Sequence, residues 1–189
     1  MATFGYTGID ATSNSSFQTD EGNSGLYTLN ETGLVSKITW RVMGGSVIQN
    51  VKGAIYAADG PALVNAPTRY RPGTLKGVTQ PSQIAATTDP QTIDLTFAAA
   101  ISLAAGDYWL MIITEDNGGV KARTHYTWRG DYINPQLSAF SVGYTSPAGT
   151  APTTGGLEQY GDGNVYATYF TAPVLSVAQV GADIVVSWA

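Results

Sequence analysis

The feature that most restricts the fold of this sequence is a series of short β-type patterns, separated by turns rich in Gly and Pro. Residues 36–42 alternate, with Ile38, Trp40 and Val42 on one side of a predicted strand and polar residues on the other. Residues 106–114 are apolar on both sides, which is typical of a central strand covered on two faces. No stretch has a convincing helical period, so the pattern predicts an all-β chain.

Composition agrees with one body of many short strands. The 189 residues are 43% hydrophobic and 12% charged, with 22 glycines and 9 prolines, which favours strands and tight turns over solvated helices. Further strands are predicted near residues 4–9, 25–30, 50–57, 91–97, 137–144 and 164–171. About ten strands in one domain predict a two-sheet antiparallel sandwich of jelly-roll type.

Charge and residue usage exclude several classes of protein. The net charge of −5 argues against a dedicated nucleic-acid binder, which normally carries a basic excess. The absence of cysteine excludes disulfides and thiol catalysis. No apolar run reaches membrane-spanning length, so no membrane insertion is expected. The first residues contain neither a basic nor an apolar signal region, so we expect synthesis in a host cytoplasm without a signal peptide.

Catalytic groups are sparse. His125, the only histidine, lies among cations on a predicted strand, and no Gly-x-Ser-x-Gly elbow occurs. The four glutamates, Glu21, Glu31, Glu115 and Glu158, include candidates for a glycosidase pair, but each lies in or beside turn-like sequence. Solvated loop carboxylates are the simpler interpretation. We therefore predict no enzymatic activity and no cofactor.

Two weaker motifs have simpler interpretations. Residues 22–25, Gly-Asn-Ser-Gly, resemble a serine-protease nucleophile loop, but they favour a turn. The pairs Asp116 with Asn117 and Asp162 with Asn164 offer oxygen ligands for Ca²⁺ without the EF-hand spacing. Turn chemistry accounts for Asp, Asn and Gly occurring together, so no metal site is predicted.

Two long segments, residues 59–72 and 145–163, are too rich in Gly, Pro and Thr to predict strands. Loops of that length are usually functional or disordered. The first has Pro at three positions and ends in Arg69, Tyr70 and Arg71, residue types that are enriched at interfaces. We predict that these three residues form the tip of a loop that contacts a partner.

Aromatic residues give a second hint of binding, because eleven Tyr and four Trp are many for this length. Flat rings on a sandwich can stack on sugar faces or anchor protein interfaces. Tyr70, Tyr132 and Tyr160 lie in loop-like sequence and are the candidates for glycan stacking. The aromatic residues predicted to lie in the core are Trp40, Tyr108 and Trp109.

One predicted strand carries most of the local positive charge. After the turn at 115–119, Val120, Ala122, Thr124, Tyr126 and Trp128 share one face. The other face forms the most basic stripe of the chain: Lys121, Arg123, His125, Thr127 and Arg129.

Six motifs occur in this order along the chain: Phe4-Gly5-Tyr6, Gly33-Leu34-Val35-Ser36-Lys37-Ile38, Ala54-Ile55-Tyr56, Pro72-Gly73-Thr74-Leu75, Leu103-Ala104-Ala105-Gly106-Asp107-Tyr108-Trp109-Leu110 and Tyr166-Ala167-Thr168-Tyr169. Together they make the run from Phe4 to Phe170 resemble a widespread β-sandwich module of phage virion proteins and microbial surface proteins. The resemblance implies a fold rather than an activity. The stretch between Ala57 and Pro72 is longer than in the family pattern.

The segment after residue 171 is predicted to be a separate β-hairpin tail, with 1–171 as the sandwich domain. Two apolar runs flank Gly181-Ala182, a suitable two-residue turn. The segment resembles the first two strands of a fibronectin type III domain. Its predicted apolar face consists of Leu175, Val177, Ile184, Val186 and Trp188. Since an isolated hairpin is marginal in water, these residues are expected to contact another subunit or to pack on the sandwich itself.

Two functions of different classes fit these observations. The first is a structural virion protein of a bacteriophage, a capsid decoration or a head or tail surface component. It would bind other virion proteins at the virion surface, as a homo-oligomer. The second is a carbohydrate-binding module that mediates adhesion to cell-surface glycans. We favour the first, because a binding module is normally tethered to a catalytic or anchoring domain and none is recognisable in this sequence.

Overall fold

The computed structural model describes residues 1–7, 13–16, 21–64, 67–87, 89–115, 121–125, 135–141, 143–147, 149, 157–160, 162–163, 165–171, 175–180 and 183–188. These residues form sixteen strands and no helix: β1 (Ala2–Gly5), β2 (Ser13–Ser16), β3 (Glu21–Leu29), β4 (Gly33–Met43), β5 (Gln49–Ala57), β6 (Leu75–Val78), β7 (Ser82–Ile84), β8 (Pro90–Leu103), β9 (Gly106–Thr114), β10 (Lys121–His125), β11 (Pro135–Ser141), β12 (Leu157–Tyr160), β13 (Asp162–Gly163), β14 (Val165–Thr171), β15 (Leu175–Val180) and β16 (Asp183–Trp188). In β2, β10 to β13, β15 and β16, only the backbone is described.

The strands form two antiparallel sheets that pack against each other, which confirms the predicted sandwich. Sheet A contains β8, β4, β14 and β1 in that spatial order, and sheet B contains β6, β5, β9 and β3. If these eight strands are numbered one to eight along the chain, sheet A read from β1 to β8 has the order one, eight, three, six. Sheet B read from β3 to β6 has the order two, seven, four, five. This alternation is the jelly-roll arrangement.

Six of the other strands enlarge these two sheets, and β15 and β16 form a separate two-stranded sheet. β10 continues sheet A beyond the end of β14, where it pairs with β4, β2 and β13. β11 pairs with β3, and β12 pairs with β11, so sheet B extends on that side. β7 pairs with β5 next to β6.

The main core lies between the sheets, and its position follows from the alternation in the sequence. Ile38, Trp40 and Val42 of β4 are buried in it as predicted. β9 lies between β3 and β5 and is buried on both faces, so the predicted central strand is confirmed. Trp40, Tyr108 and Trp109 are all buried. The core side chains include Phe4, Tyr27, Leu29, Val35, Ile55, Leu95, Leu110, Ile112, Val165 and Tyr169.

A β-bulge at Ser36 changes the predicted pattern at the start of β4. The register of β4 against both β14 and β8 shifts between Val35 and Lys37. Because a bulge adds one residue to a strand, Val35 and Ile38 both lie in the core although they are three positions apart. The strict alternation predicted for residues 36–42 therefore begins only after this bulge.

Two segments predicted as turns or loops contain strands. Residues 22–25 lie inside β3 and pair with both β9 and β11. Strands β9 and β11 form backbone pairs with this Gly-rich run on its two sides. The predicted turn at 22–25 is therefore wrong. Residues 145–163 include β12 and β13, and Tyr160 therefore lies in an outer strand of sheet B rather than in a loop.

The predicted C-terminal hairpin is present. β15 and β16 pair from Leu175 opposite Trp188 to Val180 opposite Asp183, which leaves a connection of two residues. The register also pairs Val177 with Val186. Its separation from the sandwich as a domain of its own stays a prediction.

Candidate contact site

A second hydrophobic core lies on the outward face of sheet B. Alternation along β9 sends Trp109, Met111 and Ile113 to this side, while their neighbours in sequence enter the main core. Tyr56 of β5 lies among them, and burial raises the pKa of its hydroxyl to about 12. Leu63, from the long connection between β5 and β6, covers this face. The first of the two predicted functional loops is thus partly a structural cover.

We call residues 59–72 the β5–β6 extension; residues 65 and 66 lie outside the described part. Its two arms pair like a short hairpin. Gly60 N donates to Arg71 O at 3.0 Å, Arg71 N to Pro61 O at 2.7 Å, and Leu63 N to Arg69 O at 2.9 Å. This pairing places Arg69, Tyr70 and Arg71 on the returning arm. The prediction that these three residues form the tip is therefore wrong.

The base of the extension is closed by Asp59. Its Oδ1 accepts a hydrogen bond from Thr74 N at 2.7 Å, and its Oδ2 accepts one from Thr74 Oγ1 at 2.7 Å. Burial would raise the pKa of Asp59. The hydrogen bonds from Thr74 and the charge of Lys76 outweigh it and hold the pKa below its ordinary value. Asp59 therefore stays ionised near neutral pH and fixes the point where both arms leave the sheet.

The returning arm is held against β9. Arg69 Nη1 lies 2.9 Å from Asp107 Oδ2, and Thr28 Oγ1 donates to Asp107 Oδ1 at 2.5 Å. Trp109 Nε1 donates to Tyr70 O at 2.9 Å, so the second core also fixes the backbone of the extension. A loop with these two attachments is pre-organised, which lowers the entropy cost of binding a partner through it.

The exposed surface of the extension differs from the predicted one. Arg71 is only 8% exposed, so the prediction that it is a surface contact residue is wrong. Tyr70 is 50% exposed and Val64 is 81% exposed. Val64 was not predicted from the sequence as an exposed contact residue. The adjacent apolar pair Leu63-Val64 was its signal, since in an extended backbone one of two neighbours faces inward and the other outward.

Residues 143–147 and 149, where the second predicted loop begins, also cross the outward face of sheet B. Lys52 Nζ lies 4.5 Å from the centre of the Tyr144 ring and donates to Tyr144 O at 3.1 Å. Further along, Leu75 N donates to Gly149 O at 2.9 Å. Burial, followed by the charge of Glu115, raises the pKa of Tyr144. Within 143–147 and at 149, this segment therefore covers the second core as the extension does.

The structure separates two of the candidate catalytic carboxylates. Glu31 accepts a hydrogen bond from Tyr169 OH at 3.0 Å, and Glu115 accepts one from Asn50 Nδ2 at 2.6 Å. They follow the last residues of the antiparallel strands β3 and β9, so they lie at opposite ends of sheet B. At about 3.4 Å per residue, β9 alone separates them by roughly 25 Å, too far for a glycosidase pair.

Other predicted site residues lie outside the described part. The side chains of Glu21, Glu158 and His125 are among them, although the backbone of His125 pairs with that of Asp162. Tyr132 is not described, and for Tyr160 only the backbone is. The same holds for the side chains of the five apolar residues in the C-terminal hairpin. Of the candidates for glycan stacking, Tyr70 is the one placed on the described surface.

The described residues include no helix with the length and hydropathy that a membrane crossing requires. Nor do any three of their Asp, Glu or His side chains converge as metal ligands would. Comparisons with protein-family models, with curated proteins and with solved structures find no match for this chain. The resemblance to a phage and microbial surface module therefore stays a prediction from the sequence motifs.

Proposed function

We propose that this chain is a structural virion protein of a bacteriophage, a capsid decoration or a head or tail surface component that acts by protein contacts. The observation that carries the proposal is the pair of exposed apolar residues, Val64 and Tyr70, on the braced β5–β6 extension. An exposed apolar group on a pre-organised backbone is what a protein contact requires, because its burial stabilises the complex at little entropy cost.

The fold is compatible with this role without proving it. Jelly-roll sandwiches occur in viral capsid proteins and in lectins, so the architecture alone does not assign a function. The proposed partners are other virion proteins and further copies of the chain at the virion surface, after synthesis in the host cytoplasm. No enzymatic activity, cofactor, nucleic acid or membrane insertion is part of the proposal.

The C-terminal hairpin is proposed to serve assembly. By register, Leu175 pairs with Trp188 and Val177 with Val186, which places four of the five predicted contact positions in facing pairs. Ile184 follows on the same face by alternation. We expect this face to contact a second copy of the chain, and packing on the sandwich of the same chain is the alternative.

The proposal is tested by changing Val64 and Tyr70 to Ser together and measuring the copies of the chain bound per purified particle of the phage that encodes it. Truncating interface residues commonly weakens binding tenfold or more, so we expect at least that loss of affinity. Val47 and Ile48, exposed in the β4–β5 turn, are the matched control when changed to Ser. Unchanged binding of the Val64 and Tyr70 variant would refute this contact site, and absence of the wild-type chain from particles would refute the virion function.

A second function, adhesion to cell-surface glycans, is favoured by one specific observation. The outward face of sheet A carries charged and hydroxyl side chains around the half-buried Tyr166, the mixture of groups that a sugar can engage.

A further inference from the structure

The outward face of sheet A has a regular set of polar positions fixed by register. In β4 these positions are Lys37, Thr39 and Arg41. They pair with Thr96, Asp94 and Thr92 of β8, respectively. On the other side of β4, Tyr166 and Thr168 of β14 lie opposite Thr39 and Lys37. Thr92, Asp94 and Thr96 are exposed.

The centre of this face is held by one short network. Asp94 accepts hydrogen bonds from Lys37 Nζ and from Thr39 Oγ1, each at 2.6 Å. Asp94 therefore neutralises the charge of Lys37. The charge of Arg41, the next cation along β4, is not neutralised by Asp94. Arg41 Nε is shielded from solvent and has no hydrogen-bond partner among the described residues. A shielded donor without a partner is destabilising unless a further group accepts a hydrogen bond from it.

The register of β10 adds further cations to the same face. β8 occupies one edge of β4 along its length, so β14 and β10 share the other edge. Ala122 pairs with Val42, which faces the core, and Lys121 pairs with Met43 on the outward side. Alternation then gives position 123 the outward side as well, and positions 123 and 41 each lie one residue beyond the Ala122–Val42 pair. The basic stripe predicted from the sequence thus joins the cations of β4.

This concentration of charge contrasts with the chain as a whole. Four of the nine Lys and Arg residues occupy outward positions of sheet A, whereas the net charge of the chain is −5. Among the described positions of this face, the acids are Asp94, paired with Lys37, and Asp162, opposite His125 in register. Like charges on neighbouring strands are destabilising, so the arginine positions 41 and 123 favour an anion between them.

The side chains around these cations indicate the chemical class of the anion. Thr92 and Thr96 offer exposed hydroxyls, and Tyr166 offers a half-buried ring whose neighbour in register, Gly5, has no side chain to cover it. A protein interface usually has an apolar centre, which this row of Thr, Arg and Asp lacks. A nucleic acid is disfavoured by the net negative charge. Hydroxyls, a ring face and guanidinium groups together suit a sugar that carries a carboxylate.

We propose that the outward face of sheet A binds a carboxylate-bearing polysaccharide, with Arg41 engaging a carboxylate, the basic position 123 of β10 adding positive charge, and Tyr166 contacting a sugar ring. The site goes beyond the virion contacts of the β5–β6 extension and lies on a different sheet. Its failure would leave the proposed attachment through Val64 and Tyr70 standing, because the two are measured with different partners.

The test uses the full chain and two carboxylate polymers, polygalacturonate and polysialic acid, with dextran as the neutral polymer and single-stranded DNA as a polyanion without sugar carboxylates. Affinities are measured by titration calorimetry at low and at physiological salt. We expect binding to at least one carboxylate polymer, weakened by salt, with dextran not bound and DNA bound more weakly. Arg41→Gln should lower the affinity about tenfold, the usual effect of losing a hydrogen bond to a charged group.

Lys76→Gln removes an equal charge at an exposed position of sheet B and should change the affinity less than twofold. If Arg41→Gln does not fold, Thr92→Glu gives the same test, because it places a carboxylate at the exposed position opposite Arg41 and should abolish binding. Thermal unfolding of each variant shows that it is folded. The proposal is overturned if neither carboxylate polymer binds, if dextran or DNA binds as tightly, or if folded Arg41→Gln and Thr92→Glu bind like the wild type.

Discussion

The outward faces of the two sheets differ although both belong to one sandwich. On sheet B, Trp109, Met111 and Ile113 are buried under the β5–β6 extension and residues 143–147 and 149. On sheet A, the corresponding outward positions of β4 carry polar side chains such as Lys37 and Arg41. A sheet that is apolar on both faces needs a second cover, whereas an alternating sheet can face water.

The difference shows how a jelly roll can assign separate tasks to its two faces. The β5–β6 extension on sheet B is fixed by the hydrogen bond from Trp109 Nε1 and by the Arg69–Asp107 ion pair, and it presents Val64 and Tyr70 at the surface. Sheet A has its polar groups directly on the rigid strands. Contacts with a protein and contacts with a sugar are therefore proposed for different faces.

The largest expected effect comes from removing the anchor of the second core. Trp109→Ala should destabilise the fold by about 3–5 kcal/mol, because a fully buried indole is replaced by a cavity and Tyr70 O loses its donor. The free energy of unfolding is measured by urea denaturation. Thr92→Ala on the exposed face of sheet A is the control, with an expected change within about 0.5 kcal/mol.

Trp109→Phe separates packing from hydrogen bonding, since it keeps most of the ring volume but removes Nε1. Its loss should be smaller than that of Trp109→Ala. Equal stability of Trp109→Ala and the wild type would mean that the outward core of sheet B adds nothing to the fold, and the contrast between the faces would be lost.

A smaller effect is expected for the polar network of sheet A. Thr39→Val keeps the shape of the side chain but removes the 2.6 Å hydrogen bond to Asp94. We expect a loss of about 1 kcal/mol in the free energy of unfolding, since water can replace this donor at the half-exposed carboxylate. Thr96→Val, at an exposed position of the same face, is the matched control. Similar losses in both variants would contradict a specific role for the Thr39 hydroxyl.

The smallest effect concerns pH. Burial would raise the pKa of Asp94, but the hydrogen bonds from Lys37 and Thr39 and the charge of Lys37 hold it below its ordinary value. A carboxyl with a lowered pKa in the folded state stabilises the fold above its unfolded pKa of about 3.9, and this stabilisation disappears as pH falls through the folded pKa. Because Asp94 is half exposed, this stabilisation should amount to a few tenths of a kcal/mol.

The measurement compares thermal unfolding of the wild type and Asp94→Asn between about pH 6 and about pH 2.5, a range that spans the ordinary carboxyl pKa. The stability difference between the two proteins should shrink on the acid side. Asp59, whose pKa is also lowered, is present in both proteins and does not affect this difference. A difference that is constant across the range would show that Asp94 has no lowered pKa.

Much of the fold could be predicted because strand patterns depend on local alternation. The pattern at 106–114 gave the bounds of β9, and the Gly181-Ala182 turn gave the hairpin of β15 and β16. The exceptions have local causes that alternation does not reveal. The bulge at Ser36 adds a residue to a strand, and the Gly-rich residues 22–25 form a strand because β9 and β11 supply hydrogen bonds on both sides.

The candidate site was harder to predict, because it depends on which side chains a loop buries. Length and composition identified residues 59–72 as unusual, but the pairing of its arms buries Arg71 and exposes Val64. Likewise, the basic stripe of β10 was visible in the sequence. Its place beside Arg41 depends on the pairing of Ala122 with Val42, residues eighty positions apart in the chain.

By itself, the sequence determined the fold class of this protein, its central strand and most residues of its main core, since apolar periodicity dictates which face of a strand must leave water. The tertiary structure decided which sheet is covered and which is open. It also decided where the long loops lie and which charged groups become neighbours. These features arise from pairing between segments distant in the chain, and no local pattern records the register in which distant strands meet.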